Sequence, residues 1–229
     1  MKKIIHIPHS STKIPYEFLS DYVISLDHLK RESEFMCDKN TDLLVDNDND
    51  VIIFPYSRIF CDVERFNNEK EEMNTVGMGV VYTHTHDLKL SRVPKNIDDI
   101  LKIYNDYHSK LNLLTSDILN DHGEVLILDI HSYSNEILDY ELHKELERPE
   151  ICIGIDDFHM DEILRNKILY IVKESGFKFA INQPFIGTII PSEYLNDSRV
   201  KSVMIDVNKK VMKTDFQKIK NLIKCLTEI

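Results

Sequence analysis

Val125-Leu126-Ile127-Leu128-Asp129-Ile130-His131-Ser132 is an aliphatic run that passes, without a turn signal, into an aspartate and a histidine. Such a run suits a strand covered on both faces, and the histidine then emerges at its carboxyl end. The amino terminus repeats the layout in Ile4-Ile5-His6-Ile7-Pro8-His9-Ser10. Side by side in one sheet, the two strands bring His9 and His131 out at one edge, where both imidazoles can point at one ion. His6, between Ile5 and Ile7, is expected to orient or pack rather than ligate.

Other strands are expected at Val51-Ile52-Ile53-Phe54, buried on both faces, at Ile151-Cys152-Ile153-Gly154-Ile155, and at Ser202-Val203-Met204-Ile205-Asp206-Val207-Asn208. Helices are expected over about Glu32 to Val45, Ile97 to Leu119, Met160 to Glu174 and Thr214 to Leu226, from apolar residues recurring at three- and four-residue intervals and from closing glycines. Asp46-Asn47-Asp48-Asn49-Asp50 reads as a solvated turn. The irregular stretch from Tyr56 to Pro94 is too long for a plain connection and is expected to build a site. Strands alternating with helices imply an α/β helix/sheet/helix sandwich.

The 229 residues are within the reach of one core, so one domain over 1–229 is expected. The cysteines, Cys37, Cys61, Cys152 and Cys225, have no close spacing and read as free thiols of a reducing compartment. A net charge of −11 argues against nucleic acid as a partner. No apolar stretch suits a signal peptide or a membrane span, which leads to an expected cytoplasmic location. A serine hydrolase is disfavoured because no G-x-S-x-G elbow is present.

Ile7-Pro8-His9-Ser10-Ser11, Asp38-Lys39-Asn40-Thr41-Asp42-Leu43, Ser57 to Phe66, Gly77 to Thr83, Tyr107-His108, Leu128 to Ser132 and Asn182 to Gly187 follow one another along the chain. In this order they closely resemble the N-formylglutamate amidohydrolase family, from His6 to about Lys210. The resemblance implies a three-layer sandwich like that of zinc carboxypeptidases, with a mixed sheet, and hydrolysis of N-formyl-L-glutamate to formate and L-glutamate. It implies Zn2+, or another divalent transition metal, held by His9, His131 and a carboxylate. Asp38, which opens the matching D-x-x-T-D-x-L segment, is chosen over Asp42 and Glu64. Asp62 or Asp129 is expected to orient a ligand imidazole or an arginine.

Asp206 is an acid inside an apolar strand, costly unless paired or functional, and is the expected general base. The family has glutamate there, one methylene longer. Arg58 and Arg65 match family arginines and are expected to grip the acid groups of the substrate, with Arg65 also assisting the oxyanion. Glu64 stands where many members have asparagine, and either pairs with Arg65 or receives a basic group of the ligand. Asn182 and Tyr82 are further substrate-binding candidates, Arg92 is a lesser one, and His84 and His86 stay outside the ligand set. The expected partner is a small anionic N-acyl amino acid, bound by a monomer or small homo-oligomer. Two alternatives are a zinc hydrolase of another small N-acyl or peptide substrate and a non-catalytic metal- or ligand-binding relative.

Overall fold

A computed structural model describes residues 1–46, 50–144 and 147–229. The middle of the acidic turn expected at 46–50 therefore lies outside the described residues. Six strands form one mixed sheet: β1 (Lys2–Ile7), β2 (Asp50–Ile53), β3 (Val125–Tyr133), β4 (Ile151–Ile155), β5 (Phe179–Ile181) and β6 (Val200–Asn208), in the order β2-β1-β3-β6-β4-β5. β2, β1, β3 and β6 run parallel; β4 is antiparallel to β6 and carries β5 parallel to itself. β3 is buried at every position, as its continuous apolar run requires.

Side chains alternate between the two faces. One face carries Ile5, Leu128, Ile130, Ile205 and Val207, packed against α3 (Glu162–Glu174), α4 (Lys209–Thr214) and α5 (Phe216–Thr227). The other is divided along its length. In its amino-terminal half, Ile4, Val125, Ile127 and Val200 pack on Leu111, Ile118 and Leu119 of α2 (Ile97–His122). In its carboxyl half the same alternation presents His6, Asp129, His131, Asp206 and Asn208. The sheet is thus anchored by apolar contacts at one end and polar at the other, where parallel strands leave a crevice.

Several expected elements differ in extent. The helix expected over Glu32 to Val45 is instead α1 (Leu26–Met36), followed by a turn and a short 3-10 helix at Thr41–Leu44. It starts earlier because the Ser25 side chain accepts from His28 N, and the chain turns at Asn40, whose φ is 68°. α2 continues to His122 and ends at Gly123, in a left-handed conformation that favours glycine. The helix expected over Thr214 to Leu226 is α5 (Phe216–Thr227), and a short helix that was not expected, α4, precedes it across Asp215. β2 is not buried on both faces. It is an edge strand paired only with β1, and Ile53 is 43% exposed. All four cysteines are free thiols, three of them buried. No helix among the described residues is long and apolar enough to cross a membrane.

Candidate metal centre

The parallel pairing of β1 with β3 sets His6 beside Asp129. His9, just beyond β1, and His131, near the end of β3, then meet at the carboxyl edge, their ring centroids 5.1 Å apart. His9 Nδ1 lies 3.3 Å from His131 Nδ1. The turn after α1 brings in Asp38, whose backbone N–H donates to His9 O over 2.9 Å and whose Oδ2 lies 3.3 Å from His131 Nδ1 and 3.6 Å from His9 Nδ1. All three residues are buried.

The orientation of the rings follows from their far sides. His9 Nε2 lies 2.8 Å from Asp62 Oδ1, and His131 Nε2 lies 2.9 Å from Asp129 Oδ1. Ionised carboxylates only accept, so each Nε2 carries a proton, and a ring that holds no second proton turns its Nδ1 lone pair inward. Two lone pairs and a carboxylate oxygen then face one point and repel one another unless a positive charge lies between them. In the metal-free fold a proton supplies that charge: burial opposes it, yet Asp129 and Asp38 lift the His131 pKa well above the usual histidine value, so a metal must displace the proton from Nδ1. Burial likewise opposes ionisation of Asp38, but His131, His9 and Lys209 hold its carboxyl well below the ordinary range. Such a set of atoms could hold a cation. Tetrahedral coordination at about 2.0–2.1 Å needs ligand atoms about 3.3 Å apart, close to the separations found.

A second set of groups holds these ligands. Asp62 is fully buried; its Oδ2 accepts from Arg58 Nε and Nη2 over 3.2 and 2.9 Å and from the Tyr82 hydroxyl over 2.7 Å. Arg65 Nε lies 3.6 Å from the same oxygen. Burial works against the Asp62 carboxylate, but Arg58, His9 and Arg65 keep it ionised. Asp129 Oδ1 also accepts from His6 Nδ1 over 2.8 Å, so His6 orients the orienter. Glu64 does not pair with Arg65. Its Oε1 lies 3.3 Å from His6 Nδ1, and burial together with the Asp129 charge raises its pKa.

Asp206 pairs with His131 in the β3–β6 register and lies on the same face. It is 5% exposed, and its Oδ1 has no hydrogen-bond partner among the described residues. Burial pushes its carboxyl up to about 8; Asp38 and Asp129 add to this, while His131 and Lys209 oppose it. An unpartnered carboxyl oxygen buried beside His131 makes Asp206 a candidate for proton transfer.

Other candidates do not join the cluster. Asn182, with φ 52°, spends its amide on the backbone: Oδ1 accepts from Ile155 N over 2.8 Å and from Gly187 N over 3.2 Å, and Nδ2 donates to Ile155 O over 3.1 Å. That makes it a turn residue. Arg92 is buried against Phe60 O and Asp21. His84 Nδ1 lies 2.9 Å from Thr83 Oγ1 and His86 Nδ1 pairs with Glu32 over 2.7 Å, so the two rings are turned to different partners. Sequence reading missed Lys209, whose Nζ lies 3.7 Å from Asp38 Oδ1. Its place at the turn after β6, three residues beyond Asp206, was the available signal.

Two solved structures are similar over nearly the whole chain. N-formylglutamate amidohydrolase from Ralstonia eutropha JMP134 aligns with a TM-score of 0.82 at 19% identity, covering 99% of this chain and 91% of its own. A gene product of Agrobacterium tumefaciens aligns with a TM-score of 0.69 at 16% identity, covering 99% and 88%. At these identities the likeness is one of fold. No curated relative matches by sequence. The family profile described as N-formylglutamate amidohydrolase matches residues 1–212, and the chain therefore belongs to that family.

Proposed function

We propose that this chain hydrolyses the amide of an N-formyl or closely related N-acyl amino acid, with N-formyl-L-glutamate as the best candidate and Zn2+ as the ion. Family membership carries amide hydrolysis. The observation that supports metal dependence is the convergence of His9 Nδ1, His131 Nδ1 and Asp38 Oδ2, with both Nε2–H groups held by carboxylates. A zinc ion bound by these residues supplies Lewis-acid polarisation of the carbonyl and lowers the pKa of water to about 7.

The chain's own residues do the rest. Asp206 in its ionised form, which grows as pH rises toward and past about 8, takes a proton from the attacking water, holds it on its carboxyl, and returns it to the departing amine nitrogen. The new C–O bond and the broken C–N bond leave formate and L-glutamate. Arg58 and Tyr82 hold Asp62, which keeps the His9 lone pair turned inward. Arg65, whose Nε makes no hydrogen bond among the described residues, is the freer guanidinium for the oxyanion or a substrate carboxylate.

The decisive experiment measures formate release from N-formyl-L-glutamate beside plasma-emission metal analysis. We expect turnover with about one zinc per chain, loss on chelation, and recovery when a divalent transition metal is restored. Full turnover by verified metal-free protein sinks the mechanism. Glu64 favours one further reading, a less anionic N-acyl or peptide substrate, because a half-buried acid beside His6 and Asp129, when ionised, stands against a dianionic ligand. A panel of N-formyl, N-acetyl and dipeptide substrates separates that specificity from N-formyl-L-glutamate.

A further inference from the structure

Arg148 is the cation that the metal centre leaves unexplained. Its side chain is 6% exposed, and one arm, Nη2, donates to Glu141 Oε2. Its Nε and Nη1 are buried with no partner among the described residues. Donors of a buried guanidinium left unmet cost free energy unless something else meets them.

The fold puts this guanidinium beside the row of functional side chains. Pro149 O accepts from the Tyr133 hydroxyl and, over 3.4 Å, from Asn208 Nδ2. Tyr133 and Asn208 are the register pair two residues beyond His131 and Asp206, on the same face. The guanidinium carbon lies 5.9 Å from the Tyr133 ring centre and 5.8 Å from that of Phe185, rings that meet edge to face. Aromatic walls and the Glu141 carboxylate fix its orientation without using all its donors. Glu141 in turn is tied down by Leu138 N, which donates to its Oε1 over 3.1 Å.

Arg58 offers less. Its Nε and Nη2 are both committed to Asp62. We infer that Arg148, positioned by Glu141 and walled by Tyr133 and Phe185, receives a carboxylate of the amino-acid portion of the substrate and selects for anionic ligands. This rests on the hydrolytic reading for the identity of the ligand, not for the existence of the anion site.

The test is calorimetric binding of L-glutamate, which is not consumed, to wild-type protein and to Arg148→Gln. Binding of L-glutamine and L-isoglutamine, each lacking one carboxylate, is measured alongside. We expect a loss of roughly 10- to 100-fold for L-glutamate in the variant. The loss should vanish for whichever neutral analogue lacks the contacted carboxylate. Because the substitution leaves Glu141 buried without its cation, Arg148→Lys, which keeps the charge, decides the matter if Arg148→Gln fails to melt cooperatively. A weaker loss is expected there, about 10-fold. Equal affinity in wild type and a folded variant, an equal loss for all ligands, or no L-glutamate binding by wild type overturns the inference. Formate release is scored separately. Turnover with Arg148-independent binding defeats only this inference, and Arg148-dependent binding without turnover defeats only the hydrolytic reading.

Discussion

Asp206 carries opposite consequences for chemistry and stability. As the base, its replacement by asparagine should leave metal content unchanged and lower turnover by about 10²- to 10⁴-fold. Near-normal turnover removes it from the mechanism. In the metal-free fold its carboxyl sits at about 8, against an ordinary value of 3.8. An acid raised in this way is protonated in the fold while the unfolded chain ionises, so its cost is absent below the unfolded value. The cost grows as pH rises between the two and is constant above about 8. Metal-free Asp206→Asn should therefore be more stable than wild type, with a melting advantage that widens from about pH 5 to about pH 8. A constant or reversed difference contradicts the assignment. Asp129 acts through His131, and Asp129→Asn should weaken metal binding about 10- to 100-fold, read by competition with a chromophoric chelator. Unchanged affinity means that the His131 tautomer is set by something else.

The elements show why polar residues gather at one end of one face. β1, β3 and β6 begin with Ile4, Val125, Ile127 and Val200 against α2, and only afterwards present His6, His131 and Asp206. The helices on the opposite face supply anchoring. Ile168 of α3 is fully buried, whereas Ile163 is 73% exposed. Ile168→Ala should cost about 2–5 kcal/mol in urea titration, and Ile163→Ala within about 0.5 kcal/mol. Similar losses at both positions would show that α3 packs on a different face. The irregular 56–94 stretch places Arg58, Asp62, Glu64, Arg65 and Tyr82 around His9 through loops and one 3-10 helix at Glu72–Val76. Loops suit this role because a regular strand would aim the adjacent Glu64 and Arg65 to opposite faces.

For the whole molecule, an ion held at the proposed site would join three distant segments. His9 follows β1, Asp38 follows α1, and His131 lies on β3. A ligand that binds only the folded state stabilises it by about 2.7 kcal/mol at a free concentration 100 times its dissociation constant. Zinc should accordingly raise the melting temperature in a concentration-dependent manner. His131→Ala should abolish that rise. A wild-type melting temperature indifferent to zinc would mean that the three ligand atoms do not act together.

The sheet's central strands were legible because a buried parallel strand demands a continuous apolar run, which Val125 to Ile130 and Ser202 to Val207 nearly are. The grouping of the candidate residues was legible as far as motifs reached: His9, Asp38 and His131 lie together, and Asp62 and Asp129 meet the two imidazoles. Local pattern misled where neighbours decide. Val51 to Phe54 has the composition of a central strand, but only pairing shows that β2 is an edge. Asn182 bears the same amide whether it meets substrate or backbone, and its φ of 52° with three backbone hydrogen bonds makes it a turn. Composition and periodicity thus determined the layered α/β plan, because burial acts on side chains along each segment. Tertiary structure alone decided which carboxylate meets which imidazole and which guanidinium keeps free donors, because those depend on distances between residues far apart in the chain.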